Sequence, residues 1–228
     1  MALNYNHLVD RTLKYFSVKT SLSLSDSEPE QAFLKPFITV AREPGSGGAP
    51  IAEAVAKKLG YEFVDEQLVE AVARSTRKRK AVIQEIDEKS RTKIEDIVHS
   101  ILNVEYVDEQ DYVTALVQTI LSYAHRGNCV ILGRGSNFIT PFAKGLHVSI
   151  VAPYEVRVQR AMDYEGHSEK KAKRVIAEVE KERADFVKQY FSRNLKQRNV
   201  FDLTLNTTYF TVPQSRQVII EAFRQKFA

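Results

Sequence analysis

Short, nearly continuous apolar runs alternate along the chain with longer stretches in which apolar residues return every three or four positions. The runs cover residues 37–40, 61–64, 129–132, 147–151 and 203–206. Runs of this length without polar alternation predict strands buried on both faces. Three- and four-residue spacing predicts helices over residues 81–104, 111–125, 154–164, 168–191 and 213–226. A further Ala-rich helical pattern follows residue 48, with Ile51, Val55 and Leu59 four apart. Pro213 suits a first helical turn, where its missing N–H would lack a partner anyway. Strands and helices in alternation predict an α/β domain around a parallel sheet. Upstream, Leu8, Val9, Leu13 and Phe16 are spaced for a helix over residues 4–17. Residues 17–35 are rich in serine and acid and poor in large apolar groups, which reads as a linker or poorly ordered segment. The expected division is therefore an N-terminal helix and serine-rich linker, residues 1–35, followed by one domain, residues 36–228.

Composition adds bounds rather than identity. Apolar residues make up 43% of the 228, enough for one substantial core. No segment approaches the ~20 unbroken apolar residues of a membrane span. The first residues carry no basic-then-apolar signal, and the lone Cys129 sits in an apolar run, so a cytoplasmic protein with a reduced, buried thiol is expected. Net charge is only +4, but its distribution is uneven. Residues 169–198 hold ten Lys or Arg against five Asp or Glu, and residues 74–80 hold five basic residues in seven. The run Arg77-Lys-Arg-Lys80 reads as a solvated connection. No aromatic platform interleaves with these clusters, so a nucleic-acid partner is not expected.

The most informative stretch is the apolar run 37–40, the turn Gly45-Ser46-Gly47-Gly48 and the helical pattern behind it. Strand, glycine turn and helix form the framework in which backbone N–H groups and a helix N-terminus bind phosphate. The signature G-x-x-x-x-G-K-[ST] is nevertheless broken in three places. Its first glycine falls on Arg42, its lysine on Gly48 and its hydroxyl on Ala49. Lys57 and Lys58 cannot substitute, since they lie about 14 Å down the helix. A replacement cation has to come from Arg42 or from elsewhere in the fold.

Other arginines are well placed to supply it. The run Val130-Ile-Leu-Gly-Arg-Gly delivers Arg134 at the carboxyl edge of a buried strand, where open α/β sheets bind ligands and a guanidinium fork suits phosphate. On the helix 168–191, Ile176, Val179, Phe186 and Tyr190 share a face that Arg183 interrupts, so Arg183 must pair, snorkel or reach into a site. Arg157 and Arg160 on the preceding helix can converge with it. Asp65, ending the second strand, either orients an acceptor hydroxyl or a magnesium-bound water, or caps the helix after it. His125, His147 and His167 show no metal-ligand spacing.

With these elements in this order, the chain resembles the cytidylate kinase-like family, a branch of the P-loop nucleoside monophosphate kinases. The matching segments are Ala41-Arg-Glu-Pro-Gly-Ser-Gly-Gly48, Leu59-Gly-Tyr-Glu-Phe-Val-Asp65, Ile131-Leu-Gly-Arg-Gly135, Glu182-Arg183 with Tyr190-Phe191, and Asp202-Leu-Thr-Leu-Asn-Thr207. The resemblance implies a three-layer α/β/α P-loop kinase fold with a five-stranded parallel sheet and a basic helical lid. It implies transfer of the γ-phosphoryl group of ATP, with Mg2+, to a phosphorylated or hydroxylated small acceptor. Where such kinases carry lysine and serine this chain has Gly48 and Ala49, and where they carry Gly-Arg-Asp it has Gly133-Arg134-Gly135.

The expected activity is thus a small-molecule kinase in which backbone amides and arginines replace the P-loop lysine. Gly45, Ser46, Gly47 and Gly48, with Arg157 or Arg160, would hold the nucleotide. Arg42, Arg134, Arg183 and Asp65 would serve the transfer. The alternative is a nucleotide-binding regulator without turnover. Partners are a nucleotide and a small acceptor, without nucleic acid or membrane, and the N-terminal helix could dock on the domain or on a second subunit, the latter making a homodimer.

Overall fold

The computed structural model describes residues 33–84, 86–101, 110–195 and 197–228. The expected helix over residues 4–17 and most of the linker fall outside these. Five parallel strands form one sheet in the order β2-β3-β1-β4-β5: β1 (Phe37–Arg42), β2 (Glu62–Val64), β3 (Cys129–Leu132), β4 (Gly145–Val151) and β5 (Leu203–Asn206). β1 lies centrally, with Thr39 in register with Ile131 of β3 and His147 of β4.

Among the described residues the helices are α1 (Gly48–Leu59), α2 (Glu66–Arg74), α3 (Thr76–Gln84), α4 (Glu88–Ile101), α5 (Gln110–Arg126), α6 (Ser136–Ile139), α7 (Tyr154–Glu165), α8 (Glu169–Phe191) and α9 (Val212–Phe227). The two-residue period of the strands divides the core between two layers. Phe37, Cys129 and Ile131 face a cluster with α2, α4, α5 and the end of α8, including Val69, Leu116, Ile120 and Phe191. Ile38, Val40, Val130 and Leu132 face α1 and α9 through Ile51, Val55, Ile219 and Ile220. The three-layer α/β/α expectation is met. Helices α7 and α8 pack on each other through a small separate core of Val158, Ala161, Ala172 and Ile176. They form the helical lid.

Several expected bounds change. The single helix 81–104 is two helices, α3 and α4, for a physical reason. Ile86 turns into the core, and the Asp87 carboxylate accepts the Ser90 N–H at 3.0 Å, capping a new helix. The run Arg77-Lys-Arg-Lys80 lies within α3 rather than in a connection. Helices α2 and α6 did not stand out in the periodicity, being only 9 and 4 residues long. Phe33, placed in the linker by composition, is 2% exposed and stacks 5.9 Å from Phe37. Cys129 is buried as expected, and burial pushes its thiol up to about 12.

His147 has no role in the sequence reading but is wholly buried in the sheet. Its Nδ1 lies 2.6 Å from Thr39 Oγ1, the Phe142 ring meets it edge-on at 4.5 Å, and Nε2 has no hydrogen-bond partner among the described residues. Burial pushes the imidazole down to about 4, outweighing the attraction of Asp202. Because the unfolded chain takes up this proton near pH 6.5, the associated stability is complete above that value and is lost as pH falls toward 4. Between pH 7 and 4.5 this one group should remove about 2–3 kcal/mol. Urea unfolding of the wild type and His147→Asn at both pH values measures it as a difference in slope. Equal pH dependence in the two proteins would assign the loss to other groups.

Candidate functional site

The turn after β1 presents the carbonyls of Pro44 and Ser46 to two arginines. Arg157 donates to Ala152 O at 3.0 Å and Pro44 O at 3.4 Å, and pairs with Glu180 Oε1 at 2.6 Å and Glu43 Oε2 at 3.5 Å. Arg160 donates to Ser46 O at 3.2 Å and Thr207 O at 2.6 Å, and Thr207 Oγ1 donates to Ser46 O at 2.7 Å. Glu43 accepts the Ala152 N–H at 3.1 Å, and Ser46 Oγ donates to Glu43 O at 2.8 Å. With both carbonyls tethered, the N–H groups of Gly47, Gly48 and Ala49 find no acceptor among the described residues. They stand at the N-terminus of α1, where orphan donors and the helix dipole together favour an anion. Pro50 occupies the first turn without forfeiting a helix bond.

Gly48 and Gly133 are explained by one side chain. A Cβ on Gly48 would stand 2.4 Å from Arg42 Cβ and 2.8 Å from its Cγ. A Cβ on Gly133 would stand 2.0 Å from Arg42 Nη1. The Arg42 side chain therefore crosses the mouth of the turn and ends beside the β3 loop, pairing with Glu66 at 2.8 Å. The space that a residue-48 side chain would enter is filled by Arg42.

Arg42, Arg134 and Arg183 line one cleft at the carboxyl edge of β1 and β3, with Glu66, Asn137 and Phe186. Arg134 pairs with Glu70 and lies 5.4 Å from the centre of the Phe186 ring. Arg183 reaches out of the apolar face of α8 and donates to Arg42 O at 3.1 Å. Burial, and then the like charge of Arg42, pull Arg183 down to about 10, so it remains a cation at neutral pH. Burial alone would raise Glu66, but hydrogen bonding and charge from Arg42, with Arg183 and Arg134 nearby, hold it below the usual carboxylate range.

The structure thus brings three of the four expected transfer residues together. Asp65 stands one position before the cleft and caps α2, accepting the Leu68 N–H at 2.7 Å. Its neighbour Glu66 is the carboxylate in the cleft. Arg157 and Arg160, expected beside the nucleotide, hydrogen-bond to the Pro44 and Ser46 carbonyls of the turn. The sequence reading also missed Glu70 and Asn137. Glu66 and Glu70, four apart just after the second strand, were the available signal. Asn137 had none. No helix is long and apolar enough to cross a membrane, and no cluster of three or more metal-type side chains occurs, among the described residues.

Residues 37–209 match the model of the Cytidylate kinase-like family, well over half the chain, and the chain belongs to that family. The crystal structure of an uncharacterized protein from Eubacterium ventriosum ATCC 27560 covers 83% of this chain and 99% of its own, with 19% identity and a TM-score of 0.63. That likeness is one of fold. Shikimate kinase from Acinetobacter baumannii, solved with shikimate, is 14% identical over 84% of this chain and 94% of its own. Its TM-score of 0.46 is too loose a superposition to weigh on function. A uronate isomerase of Corynebacterium glutamicum is 29% identical over 99 residues, 43% of this chain, and the chain spans only 19% of that protein's length.

Proposed function

We propose, from the premise that this chain is a cytidylate kinase-like protein, that it is a cytoplasmic small-molecule kinase using ATP. The observation that carries the reading is the convergence of Arg42, Arg134 and Arg183 on one cleft beside a turn with unpartnered N–H groups. Phosphoryl transfer demands positioning and positive charge more than covalent chemistry, and this arrangement supplies both. The N–H groups of Gly47, Gly48 and Ala49 would receive the β-phosphate, with Gly45 and Ser46 shaping the turn. Arg157 and Arg160 hold that turn open by fixing its carbonyls, so their contribution to nucleotide binding is positional. Arg183 and Arg42, which line the cleft beside the turn, would face the γ-phosphoryl charge in place of the lysine. Magnesium, when bound, would neutralise the β- and γ-phosphates and be held largely by their oxygens and water.

Two tests bear on this. Gly47 has φ of 80°, which valine adopts only under strain, and it opens the turn to a ligand. A folded Gly47→Val protein is expected to lose the thermal stabilisation that ATP gives the wild type, and unchanged stabilisation would move the nucleotide elsewhere. ATP consumption against nucleoside monophosphates, nucleosides and small metabolites then separates a kinase from a non-catalytic nucleotide sensor, which the absence of a lysine at position 48 favours. In the proposed division into an N-terminal segment and one domain, a truncated domain should begin no later than residue 33, because Phe33 is buried.

A further inference from the structure

The cleft that Arg42, Arg134 and Arg183 share contains donors that nothing among the described residues satisfies. Asn137 is 4% exposed and lines the cleft, and its Nδ2 has no hydrogen-bond partner. Arg134 donates to Glu70 through Nη2, while its Nε is buried without a partner. A buried donor left unmade is costly, so two in one cleft point to a ligand that brings oxygen acceptors. The charge balance narrows the ligand. Three guanidinium groups face two carboxylates, since Glu66 already pairs with Arg42 and Glu70 with Arg134. Arg183 has a carbonyl oxygen as its hydrogen-bond partner and, among the described residues of the cleft, is the cation left for the transferred phosphoryl group. An acceptor anion on Arg134 must therefore share it with Glu70. A carboxylate can do so, whereas a phosphomonoester dianion would be repelled. Glu66, ionised and acceptor-only, offers its second function to a hydroxyl. Phe186, Val187 and Leu195 add an apolar lining suited to a carbon skeleton.

We infer that the phosphoryl acceptor is a hydroxylated monocarboxylate, its carboxylate held by Arg134 Nε and Asn137 Nδ2 and its hydroxyl by Glu66. This rests on the kinase reading above and names its substrate class. In the reaction the hydroxyl oxygen bonds to the γ-phosphorus of the nucleoside triphosphate as the bond from that phosphorus to the β,γ-bridging oxygen breaks. The bridging oxygen keeps the electron pair and departs with the diphosphate. The hydroxyl proton passes to Glu66 late in the transfer, when the new O–P bond has made it acidic, and then to water.

The test uses the full chain, ATP and three groups of acceptors: hydroxymonocarboxylates such as glycerate and gluconate, uncharged polyols such as glycerol and sorbitol, and nucleoside monophosphates. Release of ADP is expected with a hydroxymonocarboxylate and with neither other group. In Asn137→Leu the KM for that acceptor should rise about tenfold or more, the loss of a charge-assisted hydrogen bond, while the KM for ATP stays within about twofold. Glu66→Gln should lower kcat with little change in either KM, which a purely structural pair with Arg42 would not do. Should Asn137→Leu fail to fold, Asn137→Asp, which places a negative charge against the carboxylate, is expected to give the same selective rise. Turnover of nucleoside monophosphates, equal turnover of polyols, no turnover with any group, or an unchanged acceptor KM in the Asn137 variants would overturn the inference. ATP binding by the wild type, measured calorimetrically without acceptor, tells the two readings apart. A wild type that binds ATP but ignores hydroxymonocarboxylates retains its nucleotide site and loses this substrate class, whereas one that binds no ATP loses both.

Discussion

Arg183→Ala is expected to lower turnover by ~10²-fold or more, with a much smaller change in ATP affinity. The guanidinium interrupts the apolar face of α8, hydrogen-bonds to the carbonyl of Arg42 and has burial and Arg42 acting against its charge. Such a cation is poorly stabilised until negative charge arrives, and the charge of a transferring phosphoryl group arrives most fully in the transition state. That makes its removal a kcat effect. Arg183→Lys should recover only part of the loss, because an ammonium cannot donate to Arg42 O and to phosphate through one rigid fork. Single-turnover kinetics with saturating ATP measures this directly. Turnover that survives Arg183→Ala would make Arg183 a structural strut between the lid and β1. Were the protein a non-catalytic sensor, no acceptor would support turnover in the wild type, and the substitution would change binding alone.

Restoring the lysine at position 48 is expected to harm the protein. A Cβ there meets Arg42 Cβ at 2.4 Å, and neither atom can swing away, since both are fixed by the end of β1 and the start of α1. Overpacking of this kind costs about 3 kcal/mol. For a domain of this size that is about 6–12 °C in Tm. Nucleotide-dependent stabilisation should fall as well, because the turn must shift to admit the side chain. Arg42→Gly leaves Glu66 unpaired and should also be destabilising alone. The double variant Arg42→Gly/Gly48→Lys should be more stable than the sum of the two losses, a coupling that arises because the residues compete for one space. Gly48→Lys with wild-type Tm and tighter ATP binding would show that the clash relaxes and that the two positions are independent.

The sequence by itself determined what short-range regularity can encode. Continuous apolar runs imposed strands covered on both faces, three- and four-residue spacing imposed α5, α7, α8 and α9, and the glycine turn marked where backbone amides open. Arg134 at the end of β3 and Arg183 on the wrong face of α8 were legible because each violates a local pattern. Single-residue features escaped it: the break before α4 rests on Ile86 turning inward and Asp87 capping, which continuous periodicity obscures. Tertiary structure alone decided the partners. Arg160 finds Thr207 at a separation of 47 residues, Arg134 finds Glu70 at 64 and Arg183 finds the Arg42 carbonyl at 141. Periodicity says which face a side chain leaves from, but not which distant carbonyl or carboxylate meets it there. For that reason Arg157 and Arg160, read as ligand-facing, are found hydrogen-bonded to carbonyls of the turn, Glu66 rather than Asp65 lines the cleft, and a side chain at Gly48 would meet the arginine six residues earlier.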